Sequence, residues 1–235
     1  MTGNIKMKKT LCVAALLAMS MGLGDSAEAQ VTANSFSSGG VARAVAQGVG
    51  NTNVRADAAA SNGGYASATM IGNGRRGGFA TGSAVAASNG GVAIARGLSD
   101  ARGWGAVSSS NSVAGTNFGV AIANSSAIAR RNALANSSST SVTTGGLAIS
   151  NSHARARGIF GGHGRAYSNA VSAVDHGVGI SHSRANSLGI LGGRATSNAG
   201  SYSVGLGGFR RSSARANATG LLGGWSQSTA IDRRY

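Results

Sequence analysis

The 235-residue chain contains no proline and one cysteine, Cys12, and beyond residue 30 it has neither lysine nor glutamate. Each absence excludes something. One cysteine cannot form an intramolecular disulfide or build a thiolate metal site, so stability must come from backbone pairing and packing. With glutamate missing, the acids of the main chain are Asp57, Asp100, Asp175 and Asp232, far apart in sequence. They offer no carboxylate pair for acid–base or metal-assisted chemistry. His153, His163, His176 and His182 lack compact ligand spacing. Asp175 and His176 invite a triad reading, but successive residues on a strand point to opposite faces. The glycine-rich run Gly72 to Gly78 is followed by no Gly-Lys-Ser/Thr, so it does not make a phosphate loop. The sequence therefore predicts no enzyme, with catalytic, cofactor and metal residues all absent.

Negative charge is scarce as well. Six acids face 21 bases, a net charge of +15, and all but three of those bases are arginines. Such an excess favours polyanionic partners: acidic polysaccharide, lipid phosphates or extracellular DNA. The arginine doublets Arg75-Arg76, Arg130-Arg131 and Arg210-Arg211 are the candidate contacts. A second role for them is to blunt exposed strand edges, where charge opposes unwanted pairing. No apolar run is long enough to span a bilayer. The longest, Leu11 to Leu23, follows Lys6, Lys8 and Lys9 and precedes Ala27-Glu28-Ala29, the pattern of a cleavable signal peptide over residues 1–29. Met7 opens a tidier leader than Met1. The expectation is an exported bacterial protein, secreted to the extracellular space or outer cell surface, or held in the periplasm.

Repetition is what the chain has in abundance. Gly158-Ile159-Phe160-Gly161-Gly162, Gly189-Ile190-Leu191-Gly192-Gly193 and Gly220-Leu221-Leu222-Gly223-Gly224 recur every 31 residues. Arg184-Ala185-Asn186 and Arg215-Ala216-Asn217 keep the same beat. Earlier, Gly91-Val92-Ala93-Ile94-Ala95, Gly119-Val120-Ala121-Ile122-Ala123 and Gly146-Leu147-Ala148-Ile149-Ser150 recur every 27 or 28 residues. A fixed period of this length means one supersecondary unit stacked on copies of itself.

Helix is the competing assignment because alanine is abundant, but frequent Gly, Ser and Asn disfavour it. The period-2 alternation of large and small apolar residues predicts strands. The predicted fold is an all-β solenoid, a parallel β-roll or β-helix with rungs of 27–31 residues, each rung two strand–turn units. Residues 30–60 are expected to form an N-terminal cap or irregular first rung, and residues 61–235 the repetitive domain. Val92, Ile94, Val120, Ile122, Leu147 and Ile149 are expected to point inward as a core stack. The Ala, Ser and Thr between them would then form flat outer faces suited to dry contact with a second sheet. Tyr65, Phe79, Phe209 and Trp225 each follow a Gly-Gly pair, and Trp104 follows Gly103. They read as plugs in the core or as an exposed stacking row, with the core favoured.

The Gly-Val-Ala-Ile-Ala phrases over residues 61–150 resemble the head repeats of trimeric autotransporter adhesins, whose short units build a β-roll. In leader, size and Asn/Ser/Gly content the chain is similar to secreted curlin-like amyloid subunits, although glutamine is rare beyond the leader (Gln47 and Gln227 after Gln30). Both resemblances imply a structural or adhesive protein that self-associates on or outside the cell. The sequence reading is thus an exported, self-assembling β-solenoid or functional-amyloid subunit of the cell surface or extracellular matrix. A cationic binding module is its alternative.

Overall fold

The computed structural model describes residues 28–235 except 76, 77, 161, 162, 206 and 207. Nearly all of the leader, with Cys12, and also Arg76, Gly161 and Gly162, lie outside the described residues. The odd-numbered strands are β1 (Glu28–Ser38), β3 (Asn51–Ser61), β5 (Phe79–Asn89), β7 (Val107–Asn117), β9 (Ala133–Thr143), β11 (His163–Val174), β13 (Arg194–Val204) and β15 (Trp225–Arg234). Between them run β2 (Val41–Val49), β4 (Tyr65–Gly74), β6 (Val92–Arg102), β8 (Gly119–Arg130), β10 (Gly146–Gly158), β12 (Gly177–Ile190) and β14 (Gly208–Leu221). Odd strands form an eight-stranded sheet and even strands a seven-stranded sheet. Neighbours within each sheet are parallel, so every rung gives one strand to each sheet. The protein is a two-sheet β-solenoid of about seven turns. Among the described residues there is no helix, and hence none long and apolar enough to cross a membrane.

The register shows how the repeat works. Val41, Tyr65, Val92, Val120, Leu147, Val178 and Phe209 occupy one column across the seven-stranded sheet. Their spacing makes the rung 24 residues at first, 27 or 28 in the middle and 31 from Leu147 onward. The turns absorb this variation while the strands stay aligned. Residues 30–60 supply β1, β2 and most of β3, paired in the same continuous register as the rungs below.

The facing of the strands is the reverse of the sequence expectation. Ala93, Ala95, Ala121, Ala123, Ala148 and Ser150 are fully buried between the sheets. Val92, Ile94, Val120, Ile122, Leu147 and Ile149 do stack rung on rung, but on the outer surface, where each is only partly covered. The cause is steric. A Cβ placed on Gly97 in β6 would lie 2.5 Å from the Ser110 hydroxyl of β7 in the facing sheet. At that position not even a methyl group fits, and most other inward positions hold only Ala or Ser. Met70, the largest fully buried side chain, is accommodated opposite Gly82, where an added Cβ would come within 2.7 Å of its sulfur.

The interior changes character along the axis. Its first rungs are lined mostly by alanine, including Ala42, Ala44, Ala56, Ala66, Ala84 and Ala93. From β7 onward serine takes over many of the inward positions, and its hydroxyls bond across the gap. Ser183 donates to Ser168 at 3.0 Å, Ser168 to Ser152 at 2.9 Å, Ser152 to Ser137 at 3.0 Å and Ser137 to Ser125 at 3.0 Å. The chain ends where the Ser125 hydroxyl donates to the Ser110 carbonyl at 2.6 Å. Each step crosses from one sheet to the other. Pairing the hydroxyls removes the cost of about 1–3 kcal/mol that an unpartnered buried group would carry.

Substitutions at neighbouring positions of β8 separate the two facings. Ala121→Asp places a carboxylate in a fully buried alanine column, at a cost of about 3 kcal/mol or more. The expected result is loss of the β circular dichroism spectrum. Ile122→Asp lies on the outer face and should keep the spectrum. A folded Ala121→Asp variant beside an unfolded Ile122→Asp variant would restore the inward-isoleucine arrangement.

Candidate functional site

The outer face of the seven-stranded sheet concentrates the chemistry of the molecule, and strand register arranges it in bands. At the N-terminal end of the strands, the Val41-to-Phe209 column runs beside Ile94, Ile122, Ile149 and Ile180. Together they make an apolar strip two residues wide across β6, β8, β10 and β12. A fully buried Val, Leu or Ile gains about 1.5–3 kcal/mol, and these half-covered side chains leave part of that gain unrealised.

A shallow trough follows, lined by Thr69, Arg96, Asn124, Asn151, His153 and Arg184, with a volume of 390 Å³. Asn151 donates to Asn124 at 2.9 Å, so the polar rungs of the trough are tied to one another. At the C-terminal end of the strands comes a band of arginines. Arg102, Arg130 and Arg157 share one column over β6, β8 and β10. Arg155 stands two residues inward on β10, and Arg184 and Arg215 share the next column on β12 and β14. The band crosses five strands, a length of about 19 Å at the usual strand spacing. Its one acid is Asp100, which pairs with Arg102 at 2.8 Å and lies 3.9 Å from Arg130.

His153 sits within this band. Burial lowers its pKa first, and the neighbouring charges of Arg184 and Arg155 lower it further. Its Nε2 lies 3.2 Å from the Asn186 amide, which in turn accepts from Asn217 at 3.0 Å. Two clefts flank Arg155 and Arg157. One of 210 Å³ is lined by Ile128, Arg130, Arg155 and Arg157, and one of 240 Å³ by Arg155, Arg157, Asn186, Leu188, Asn217 and Thr219.

The turns that lead from even to odd strands run alongside the arginine band. Successive turns hydrogen-bond to each other, as Gly103 N–H donates to the Arg130 carbonyl, Arg131 N–H to Arg157 and Gly192 N–H to Leu222. Phe160, Leu191 and Leu222 occupy the left-handed region there, with φ of 54°, 55° and 53°. That conformation costs a side-chain-bearing residue about 1–2 kcal/mol. The same residues point into solvent: Leu222 is 74% exposed, Phe160 69%, and Trp104, two turns above Phe160, 60%.

The doublets named from the sequence are not gathered in one place. Arg75, Arg130 and Arg131 lie on this turn edge, and Arg76 falls outside the described residues. Arg210 and Arg211 begin β14 and so lie at the opposite end of the strands. Arg130 is shared with the band, whose other members are single arginines scattered in sequence. Their only sequence signal is the beat of Arg184-Ala185-Asn186 and Arg215-Ala216-Asn217. The aromatic residues after glycine are surface residues rather than core plugs, since Tyr65, Phe79, Trp104, Phe209 and Trp225 are all exposed. Arg194 stacks on the Trp225 ring at 4.1 Å, within one outer column that also holds His163. Asp175 and His176 occupy a turn, not a strand, and their side chains pair at 2.8 Å. Among the described residues no three His, Cys, Asp or Glu side chains come together as a metal site. No family model, no curated protein and no solved structure matches the chain.

The lowered His153 pKa gives stability a defined pH dependence. The unfolded chain takes up the proton first, so stability is full above about pH 6.5 and falls as pH drops toward the lowered folded value. His153→Asn should flatten this loss when urea midpoints are compared at mildly acid and neutral pH. An unchanged slope would place the titrating group elsewhere.

Proposed function

We propose that this is an exported bacterial structural protein, an adhesive β-solenoid that associates with copies of itself on the cell surface or in the extracellular matrix. One observation carries the reading: the large aliphatic residues lie on an ordered outer strip while alanine and serine fill the core. An apolar ladder left half-covered over four adjacent rungs marks a contact surface, because monomers gain little from placing it there. Among the described residues β1 and β2 at one end and β14 and β15 at the other are edge strands, the usual templates for further pairing. The two ends differ. The inward columns at the first rung carry Val31, Ala33, Ala42 and Ala44. At the last rung Arg210, Asp232 and Arg234 continue the columns of Gly179, Ser201 and Ser203. Inward charge of this kind opposes end-to-end stacking, which favours lateral association through the apolar strip.

The triple variant Ile94→Thr/Ile122→Thr/Ile149→Thr tests this. It should keep the β spectrum of the parent and lose concentration-dependent association in sedimentation and electron microscopy. Association at the parental level, with the fold intact, would remove the strip from the account.

A further inference from the structure

We infer that the even-to-odd turn edge, together with the arginine band beside it, is a docking surface for a phosphate-bearing lipid surface. This goes beyond self-association and uses a different part of the sheet. Two features meet there. Trp104, Phe160, Leu191 and Leu222 project from stacked turns into solvent, and three of them hold a backbone conformation that disfavours such side chains. At the lower turns Phe160 is 69% and Leu222 74% exposed, with Leu191 in the turn between them at 43%. Phe118, on the opposite edge, is different, since its ring packs against Gly145 of the turn below. Strained, exposed, bulky residues that recur rung after rung point to a contact outside the molecule.

The second feature is charge. Arg130, Arg155 and Arg157 line a cleft of 210 Å³, with Arg184 and Arg215 continuing the band, and Asp100 near Arg102 is its one acid. Guanidinium groups recognise phosphate oxygens through paired donors. A soluble polyanion would satisfy the arginines and leave the apolar row in water. A lipid surface satisfies both, with the row in the headgroup–acyl boundary and the arginines at the phosphates.

The purified protein carrying Trp225→Phe, so that Trp104 alone reports, is mixed with vesicles of phosphatidylcholine containing phosphatidylglycerol, with vesicles of phosphatidylcholine alone, and with alginate. The expected result is salt-sensitive binding to the first vesicles, a blue shift of Trp104 emission, and binding to phosphatidylcholine weaker on the order of tenfold. Phe160→Asn/Leu191→Asn/Leu222→Asn should bind the anionic vesicles on the order of tenfold more weakly. Asparagine suits these positions, as Asn132 holds φ of 55° in the corresponding turn after β8. Arg155→Gln/Arg157→Gln/Arg184→Gln should lose both affinity and salt sensitivity, and it serves independently if the turn variant does not fold. Parental vesicle binding by either folded variant would overturn the inference. So would equal binding to both vesicle types, or alginate binding as tight as vesicle binding with Trp104 emission unmoved. The Ile94→Thr/Ile122→Thr/Ile149→Thr variant should bind vesicles normally, which separates this surface from the self-association strip.

Discussion

The close approach of the two sheets sets every other property of this molecule. A gap that at most positions admits little more than methyl and hydroxymethyl groups draws Ala, Ser and Gly inward, with a few larger exceptions such as Met70 and Val54. It leaves the Val, Ile and Leu of the repeated phrases on the outside. Alanine brings little apolar area, so the hydrophobic gain per inward residue is small. Cohesion then rests on long in-register backbone ladders and dense contact between facing sheets. The outer surface, relieved of core packing, is free to carry ordered columns of one side-chain type.

The serine half of the interior adds specificity to that cohesion. A two-residue shift of β8 or β11 would set Ala123, Ala127, Ala166 or Ala170 in place of Ser125 or Ser168. A one-rung slip keeps serine opposite serine, because Ser125, Ser152 and Ser183 share one column and Ser110, Ser137 and Ser168 another. An unpaired buried hydroxyl is costly, so the network penalises shifts along the strand more than it stabilises the right register. The alanine half has no such device. There, size matching of the kind seen between Met70 and Gly82 does the selecting.

Much of this was legible in the sequence. The recurrent Gly-Val-Ala-Ile-Ala and Gly-Ile-Leu-Gly-Gly phrases define the period, and alternation at Val92 to Ala95 defines strands. The phase of the alternation was misread, because hydrophobicity places Ile inward when the available space is unknown. The better signal was uniformity: alternate positions are nearly always Ala, Ser or Gly, whereas their neighbours range from Ile to Arg. The arginine band was hidden for another reason. Arg102, Arg130 and Arg157 fall in one column and Arg184 and Arg215 in another only after rungs of unequal length are brought into register. Among the described doublet residues Arg130 lies in the band, while Arg210 and Arg211 lie at the opposite end of the strands. The strained turn residues Phe160, Leu191 and Leu222 stood in plain view inside the 31-residue repeat, but left-handed backbone at a Leu is not something composition announces.

The inward placement of small residues is open to direct measurement. Because no cysteine occurs beyond Cys12, single cysteines can be placed at positions 120 to 125 of β8 and their reaction with a thiol reagent timed under native conditions. Positions 121, 123 and 125 should be protected, and positions 120, 122 and 124 should react readily. The opposite phase, with 120 and 122 protected and 121 and 123 reactive, would contradict the structure's central feature.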